Sequence, residues 1–294
     1  MTNRDNIPDC PTTFPANDDY YKIISSTGVG YAVANFSRDC MLRLVDYPEY
    51  PLRANPCITI KQGNTALLVR TELPIAGRMT AVAYKRVCRK NWWKKLASFF
   101  RPNRTLHSWT VGHELLRHGI TTPRPLAVVT PHRIRAMQES YLAVAWVDNS
   151  QNLYTFGEEL RNCDTQQRGR LLKQAAVSLG ALVGKLHAAH FSHRDLKGGN
   201  LLVGITAKGI ESHIIDLDGV DQNAQLSNYR KQWNLSRLEE SIRRFEFVSY
   251  TDRVRFLKAW LAENSMQPEQ WKSLWRTIRQ MANSRTERKQ NRAA

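Results

Sequence analysis

His193-Arg194-Asp195-Leu196-Lys197-Gly198-Gly199-Asn200 is the stretch on which the reading of this chain turns. It follows an apolar helical segment, Leu171 to His190, and leads into a short apolar run, Leu201 to Val203. Asp216, within Ile214-Ile215-Asp216-Leu217-Asp218-Gly219, comes sixteen residues after Asn200. Transfer of a phosphoryl group calls for a carboxylate to accept the proton of the attacking hydroxyl. It also calls for an amide and a second carboxylate to hold Mg²⁺ against the phosphates. Asp195 fits the base, and Asn200 and Asp216 fit the metal ligands. A chance charged turn between a helix and a strand has no reason to carry this ordered set.

The order is that of a kinase catalytic loop followed by a metal loop, so a phosphate-binding lysine should lie upstream on a strand. Two β-rich runs, Ile58 to Ile60 and Thr65 to Arg70, flank Lys61-Gln62-Gly63-Asn64, and a third run covers Thr80 to Val87. This is an antiparallel meander. Val82-Ala83-Tyr84-Lys85 has the form of the strand lysine that pairs the α- and β-phosphates. Lys85 follows Gly63 by 22 residues, which leaves room for a covering hairpin at Gly63 and two strands. Thr27-Gly28-Val29-Gly30-Tyr31 lies too far upstream to cover the same phosphates and reads as a turn between short strands.

In bulk the chain has 294 residues, enough for two lobes sharing a cleft. Its 43 basic and 26 acidic residues give a net charge of +17, which implies an anionic partner. Five scattered cysteines with no Cys-x-x-Cys pair argue against a disulfide framework or a zinc site. Asp5 and Asp9 stand where a signal peptide would be basic and then apolar. No uncharged apolar stretch reaches the ~18–20 residues of a membrane span. The expectation is a cytosolic protein, peripheral to a membrane.

Residues 86 to 104 form a basic-aromatic insert. From Lys85 to Arg104 there are eight positive charges and no acid, interleaved with Trp92, Trp93, Phe99 and Phe100. That mixture suits an interfacial segment on anionic lipid. It also suits packing on the small lobe, and suits nucleic acid less well. A helix from Thr105 to Gly119 follows, ended by Gly119 and the Pro123/Pro125 turn. Its only acid, Glu114, is either the partner of Lys85 or an exposed glutamate. Strands at Leu126 to Val129 and Tyr141 to Val147 finish the small lobe, and Val147-Asp148-Asn149-Ser150 is the expected hinge where adenine would dock.

The expected fold is α+β and bilobal, protein-kinase-like. Residues 1–40 form an irregular lead-in, 41–147 a small antiparallel-sheet lobe, 148–283 a mainly helical large lobe, and 284–294 a disordered basic tail. The large lobe should hold helices at Thr165 to His190, Arg230 to Phe247 and Thr251 to Glu263. A last helix should carry Trp271 and Trp275 on one face. The Ala-Pro-Glu that closes a protein-kinase activation segment is missing, and Asp218 stands where glycine is usual. Both features suit a small-molecule or glycolipid acceptor better than a protein.

The chain resembles the Kdo/WaaP-type lipopolysaccharide core kinases. The matching pieces are Ile60-Lys61-Gln62-Gly63-Asn64-Thr65, Ala83-Tyr84-Lys85-Arg86, Phe100-Arg101-Pro102, Ser108-Trp109 and Gly112-His113-Glu114-Leu115. Gly119 to Ala127, Asp195 to Leu202 and Ile215-Asp216-Leu217-Asp218 complete the set, over about Met41 to Glu263. The resemblance implies ATP- and Mg²⁺-dependent phosphorylation of a heptose or Kdo in the lipopolysaccharide inner core, on the cytoplasmic face of the inner membrane. It implies Asp195 as base, Lys85 as phosphate-binding lysine, Asn200 and Asp216 as metal ligands, and Lys197 as the neutraliser of the transferring γ-phosphoryl group. Two alternatives remain: an atypical kinase acting on a protein or another small molecule, and a catalytically idle kinase-shaped binding module.

Overall fold

A seven-stranded antiparallel sheet forms one half of the protein, in a computed structural model that describes residues 20–88, 103–132 and 139–293. Its strands are β1 (Tyr20–Ile24), β2 (Gly28–Val33), β3 (Cys57–Gln62), β4 (Ala66–Ile75), β5 (Arg78–Cys88), β6 (Pro125–Pro131) and β7 (Glu139–Ala145). The spatial order is β1-β2-β6-β7-β5-β4-β3. The period-2 pattern of β4 buries Val69, Thr71, Leu73 and Ile75 and turns the intervening residues outward. Ala76 and Gly77, both at positive φ (50° and 74°), close the hairpin to β5. That is the backbone a two-residue hairpin loop needs.

Two helices cover the sheet. Helix α1 (Arg38–Asp46) is N-capped by Ser37, whose hydroxyl accepts from Cys40 N–H. Helix α2 (Arg104–Arg117) is N-capped by Asn103. Met41, Leu44, Val82, Tyr84, Trp109 and Ala143 meet between helices and sheet in one buried cluster.

The start of the chain departs from the expected lead-in. Residues 20–33 supply two sheet strands, and Gly28 and Gly30 lie inside β2 rather than in a turn. Glycine is needed at Gly30 because a Cβ there would come within 2.1 Å of Met41 Cε. The strand can therefore lie close under α1.

The other half begins with β8 (Ser150–Asn152), α3 (Leu153–Arg161) and the long α4 (Thr165–Ala188). Asp164 caps α4. Strands β9 (Phe191–His193), β10 (Leu201–Thr206), β11 (Gly209–Ile214) and β12 (Val220–Gln222) bracket the two motif loops. Helices α5 (Asn228–Ile242), α6 (Tyr250–Glu263) and α7 (Trp271–Ala293) complete the chain. Leu179, Val183 and Leu186 of α4 pack with Leu257, Trp260 and Leu261 of α6 in a second buried cluster.

The expected disordered tail is instead the end of α7. Arg285 lies over the Trp233 ring at 3.9 Å and donates to Ser236 Oγ, so side-chain contacts with α5 hold a sequence that is polar in composition. The helix expected over Arg230 to Phe247 starts earlier, at Asn228, and stops at Ile242. Most of the basic-aromatic insert lies outside the described residues.

Candidate active site

Two short antiparallel strands hold the site. β9 pairs with β12 through His193↔Val220, which sets the loop carrying Asp195 beside the loop carrying Asp216. His193 is fully buried. Its N–H donates to Asn234 Oδ1 at 3.1 Å, and Ser192 Oγ donates to the same oxygen at 3.3 Å. Its Nε2 lies 3.3 Å from Ile215 O, and its Nδ1 accepts from Asp195 N–H at 3.3 Å. Burial holds the His193 pKa below the ordinary histidine value. The ring is therefore neutral, protonated on Nε2, and free to accept on Nδ1.

Past Asp195 the loop tightens. Gly198 N–H donates to Ser241 Oγ at 2.9 Å, and Asn200 N–H to Lys197 O at 2.9 Å. A Cβ on Gly198 would come within 2.7 Å of the Tyr154 ring, so the glycine lets the loop pass beneath that ring. Ile215 N–H donates to Asn200 O at 3.0 Å, which brings the amide and the second carboxylate to one side.

Asp195 is held from three directions. Lys197 Nζ lies 2.6 Å from Oδ2, Asn200 Nδ2 reaches the same oxygen at 3.4 Å, and an Arg237 Nη2 donates to Oδ1. Burial disfavours its charge, but Lys197 and Arg237 outweigh that and keep its pKa below the usual carboxylate value. Asp216 sits at φ 60° and accepts from Lys85 Nζ at 2.7 Å. Burial again works against ionisation, and Lys85 overcomes it. Asp218 takes a two-pronged hydrogen bond from Arg104, the first residue of α2, through Nε at 2.8 Å and through Nη2. This is the bidentate form of the arginine–carboxylate pair.

The structure thus brings Lys85, Asp195, Lys197, Asn200 and Asp216 together. Gly63 closes the turn between β3 and β4, its N–H donating to Ala66 O at 2.9 Å. The adjoining Lys61 is near enough to Asp216 to help lower its pKa. Glu114 is not brought to Lys85; it pairs with Arg117 at 2.5 Å on its own helix. Sequence reasoning missed Arg237, Asn234, Ser241 and the Arg104–Asp218 pair. Asn234 left a signal, being a polar residue beside Leu235 on the buried face of α5. Arg237 left none.

The donor set suits a hard divalent cation. Asn200 spends its Nδ2 on Asp195, leaving Oδ1 for a cation beside the Asp216 carboxylate. Two oxygen ligands from protein, the rest from phosphates and water, is the usual pattern for Mg²⁺. No group of three or more His, Cys, Asp or Glu side chains that would form an all-protein metal cage occurs among the described residues. Among the same residues no helix is long and apolar enough to cross a membrane.

The lipopolysaccharide kinase (Kdo/WaaP) family profile matches residues 78–260. A 3-deoxy-D-manno-octulosonic acid kinase from Haemophilus influenzae is 24% identical over 128 residues, 43% of this chain and 48% of that protein. The chain thus spans about half the length of the curated relative it matches. A solved structure of WaaP in complex with acyl carrier protein superposes with a TM-score of 0.58 at 17% identity, covering 82% of this chain and 95% of that one. That likeness shows the bilobal kinase-like fold.

Proposed function

This chain belongs to the lipopolysaccharide kinase (Kdo/WaaP) family, and on that premise we propose that it transfers phosphate from ATP to a sugar hydroxyl, heptose or Kdo, of the lipopolysaccharide inner core. The observation that carries this reading is the convergence of Asp195, Asn200 and Asp216 opposite Lys85, with Asp195 ionised beside Lys197.

In this reading Asp195 accepts the proton of the acceptor hydroxyl as its oxygen forms the new bond to the γ-phosphorus. The bond from that phosphorus to the bridging oxygen breaks, and ADP leaves with the electron pair. A positioned base contributes about 10²–10⁴-fold in rate. Asn200 and Asp216 would hold Mg²⁺, which when bound draws charge from the phosphates. Lys85 moves from Asp216 to the α- and β-phosphates as nucleotide enters. Lys197 already lies at the base, and from there it neutralises charge on the group in transfer. The hairpin at Gly63 covers the phosphates, and residues 147–150 take the adenine.

The net charge of +17 and the basic-aromatic composition of residues 86–104 support a place on an anionic membrane surface, with the cytoplasmic face of the inner membrane as the site of work. The test is mass spectrometry of core oligosaccharide from cells with and without the gene, complemented by wild type or by Asp195→Ala. One phosphate (about 80 mass units) should vanish on deletion and return only with wild type. An unchanged core in every strain would overturn the reading.

A further inference from the structure

Asp216 has a backbone that must be held in place. Its φ of 60° and ψ of 56° lie in the left-handed region, where an L-residue is strained and persists only if its surroundings impose it. The residue stands in the turn between β11 and β12, outside the strand pairings on either side. The catalytic loop holds one side of this turn. His193 Nε2 lies 3.3 Å from Ile215 O, and Arg194 N–H donates to Gly219 O at 2.8 Å. The other side meets α2.

Ahead of the turn, β11 is the edge of its three-stranded sheet, so the backbone groups it turns away from β10 need partners. The loop after α2 supplies them. Ile214 N–H donates to Thr121 O at 3.0 Å, Thr121 Oγ1 donates to Ser212 O at 2.6 Å, and the buried Thr122 Oγ1 donates to Ile214 O at 2.7 Å. Beyond the turn, Val220 O lies 2.8 Å from His107 Nε2. A carbonyl can only accept, so that nitrogen carries the hydrogen and donates it. Between these two points Arg104 grips Asp218. A Cβ on Gly112 would come within 3.2 Å of Leu217 Cδ1 and 2.5 Å of Pro125 Cγ, so glycine lets the helix lie against the middle of the turn.

We infer that α2 and the loop after it form a splint for Asp216, and that His107 and Thr122 are positioning residues that aim its carboxylate. The inference rests on the proposed kinase function and deepens it, because it names what fixes the second metal ligand. It also gives α2 a task that needs no glutamate. Glu114 stays with Arg117 on its own helix, and α2 acts on the metal loop instead of on Lys85. Thr122 and His107 each satisfy a backbone carbonyl on one flank of the turn. Loss of either donor frees that flank, and Asp216 relaxes out of the left-handed region with its carboxylate re-aimed.

The test uses the full chain and two pairs of variants. Thr122→Val and His107→Phe remove the donor, whereas Thr122→Ser and His107→Gln keep one. Hydrogen exchange is followed first on protein free of nucleotide and metal. Amides of residues 214–220 should exchange about tenfold or more faster in Thr122→Val and His107→Phe, and near the wild-type rate in Thr122→Ser and His107→Gln. Amides of α4 should keep their wild-type rates in all four. Calorimetric titration with ADP, with and without Mg²⁺, then reads the carboxylate. Mg²⁺ should strengthen ADP binding by wild type, and that gain should shrink about tenfold in Thr122→Val and His107→Phe. Metal-free ADP should bind every variant as it binds wild type. His107 is only half-buried, so His107→Phe carries the test if Thr122→Val does not fold.

Exchange that rises equally in the turn and in α4, or that rises as much in Thr122→Ser and His107→Gln, would overturn the inference. So would a faster turn whose Mg²⁺ gain stays at the wild-type size. Wild type that binds ADP no better with Mg²⁺ than without it would instead overturn the kinase reading, and the exchange result would stand as the test of the splint alone.

Discussion

Lys85 Nζ lies 2.7 Å from Asp216 Oδ1, a contact that joins β5 of the sheet half to the loop after β11 across 131 positions of sequence. Glu114 of α2 takes no part in it. The lysine therefore rests on the Asp216 carboxylate rather than on a helix glutamate, and on the proposed function its work begins when phosphates draw it away.

Lys85→Met should lower the turnover of ATP by about 10²–10³-fold, the usual cost of removing one preorganised donor at a developing charge. The pair is partly exposed, so its contribution to folding should be about 0–1 kcal/mol. Melting curves of Lys85→Met and wild type should nearly coincide. A large loss of melting temperature would show the pair to be a structural tie instead.

Arg104 and Asp218 form a further link between the halves, beside the contact of His107 Nε2 with Val220 O at 2.8 Å. Arg104→Ala and Asp218→Ala should each reduce kcat, because α2 loses its hold on the loop that positions Asp216. The two defects should not add. A double-mutant cycle should return a coupling of about 1–3 kcal/mol, as for residues in one charge network. Additive effects would show that the pair does not act as a unit.

Gly198→Ala places a methyl group 2.7 Å from the Tyr154 ring. Overpacking of this kind costs about 1–3 kcal/mol. Urea unfolding should show that loss, together with a fall in kcat as the loop between Asp195 and Asn200 shifts. Tyr154→Ala added to Gly198→Ala should restore part of both. A destabilisation of Gly198→Ala that Tyr154→Ala leaves unchanged would exclude the ring as its cause.

Buried histidines set the acid limit of the fold. Burial depresses His187 and His113 from the ordinary 6.5 to about 3, and depresses His193 as well. Between those values the unfolded chain binds protons that the folded protein refuses, so stability is full above pH 6.5 and falls as pH drops toward about 3. The melting temperature should decline over that window. His187→Gln should flatten the decline, although Trp260 Nε1 then loses its acceptor at His187 Nδ1 and stability near neutrality falls. Asp195 and Asp216 have depressed pKa values and add their own losses lower still.

The candidate site residues that the structure brings together were legible in the sequence because each sits in a contiguous motif whose spacing is fixed by one loop or one strand. His193 to Asn200, Asp216 and Lys85 are of that kind. The pairs that orient them are not local. Arg237 meets Asp195 across 42 positions and Arg104 meets Asp218 across 114, and no short pattern marks either. Strand β1 escaped because Tyr20–Ile24 lies at the sheet edge, half-exposed, without a clear alternation. The end of α7 escaped because packing on Trp233 and Ser236, rather than an apolar stripe of its own, holds it in place.

The β5-to-metal-loop contact also bears on how the two halves open. Lys85 needs an anion, and the protein supplies one of its own in Asp216. On the proposed function ATP brings a second, and the lysine exchanges one anion for the other while the cleft stays bridged. The nucleotide then serves as a removable strut as well as a substrate. On the same proposal ADP keeps the α- and β-phosphates that hold the lysine, so Asp216 would recapture it only as ADP leaves, and the returning ion pair would bridge the emptied cleft.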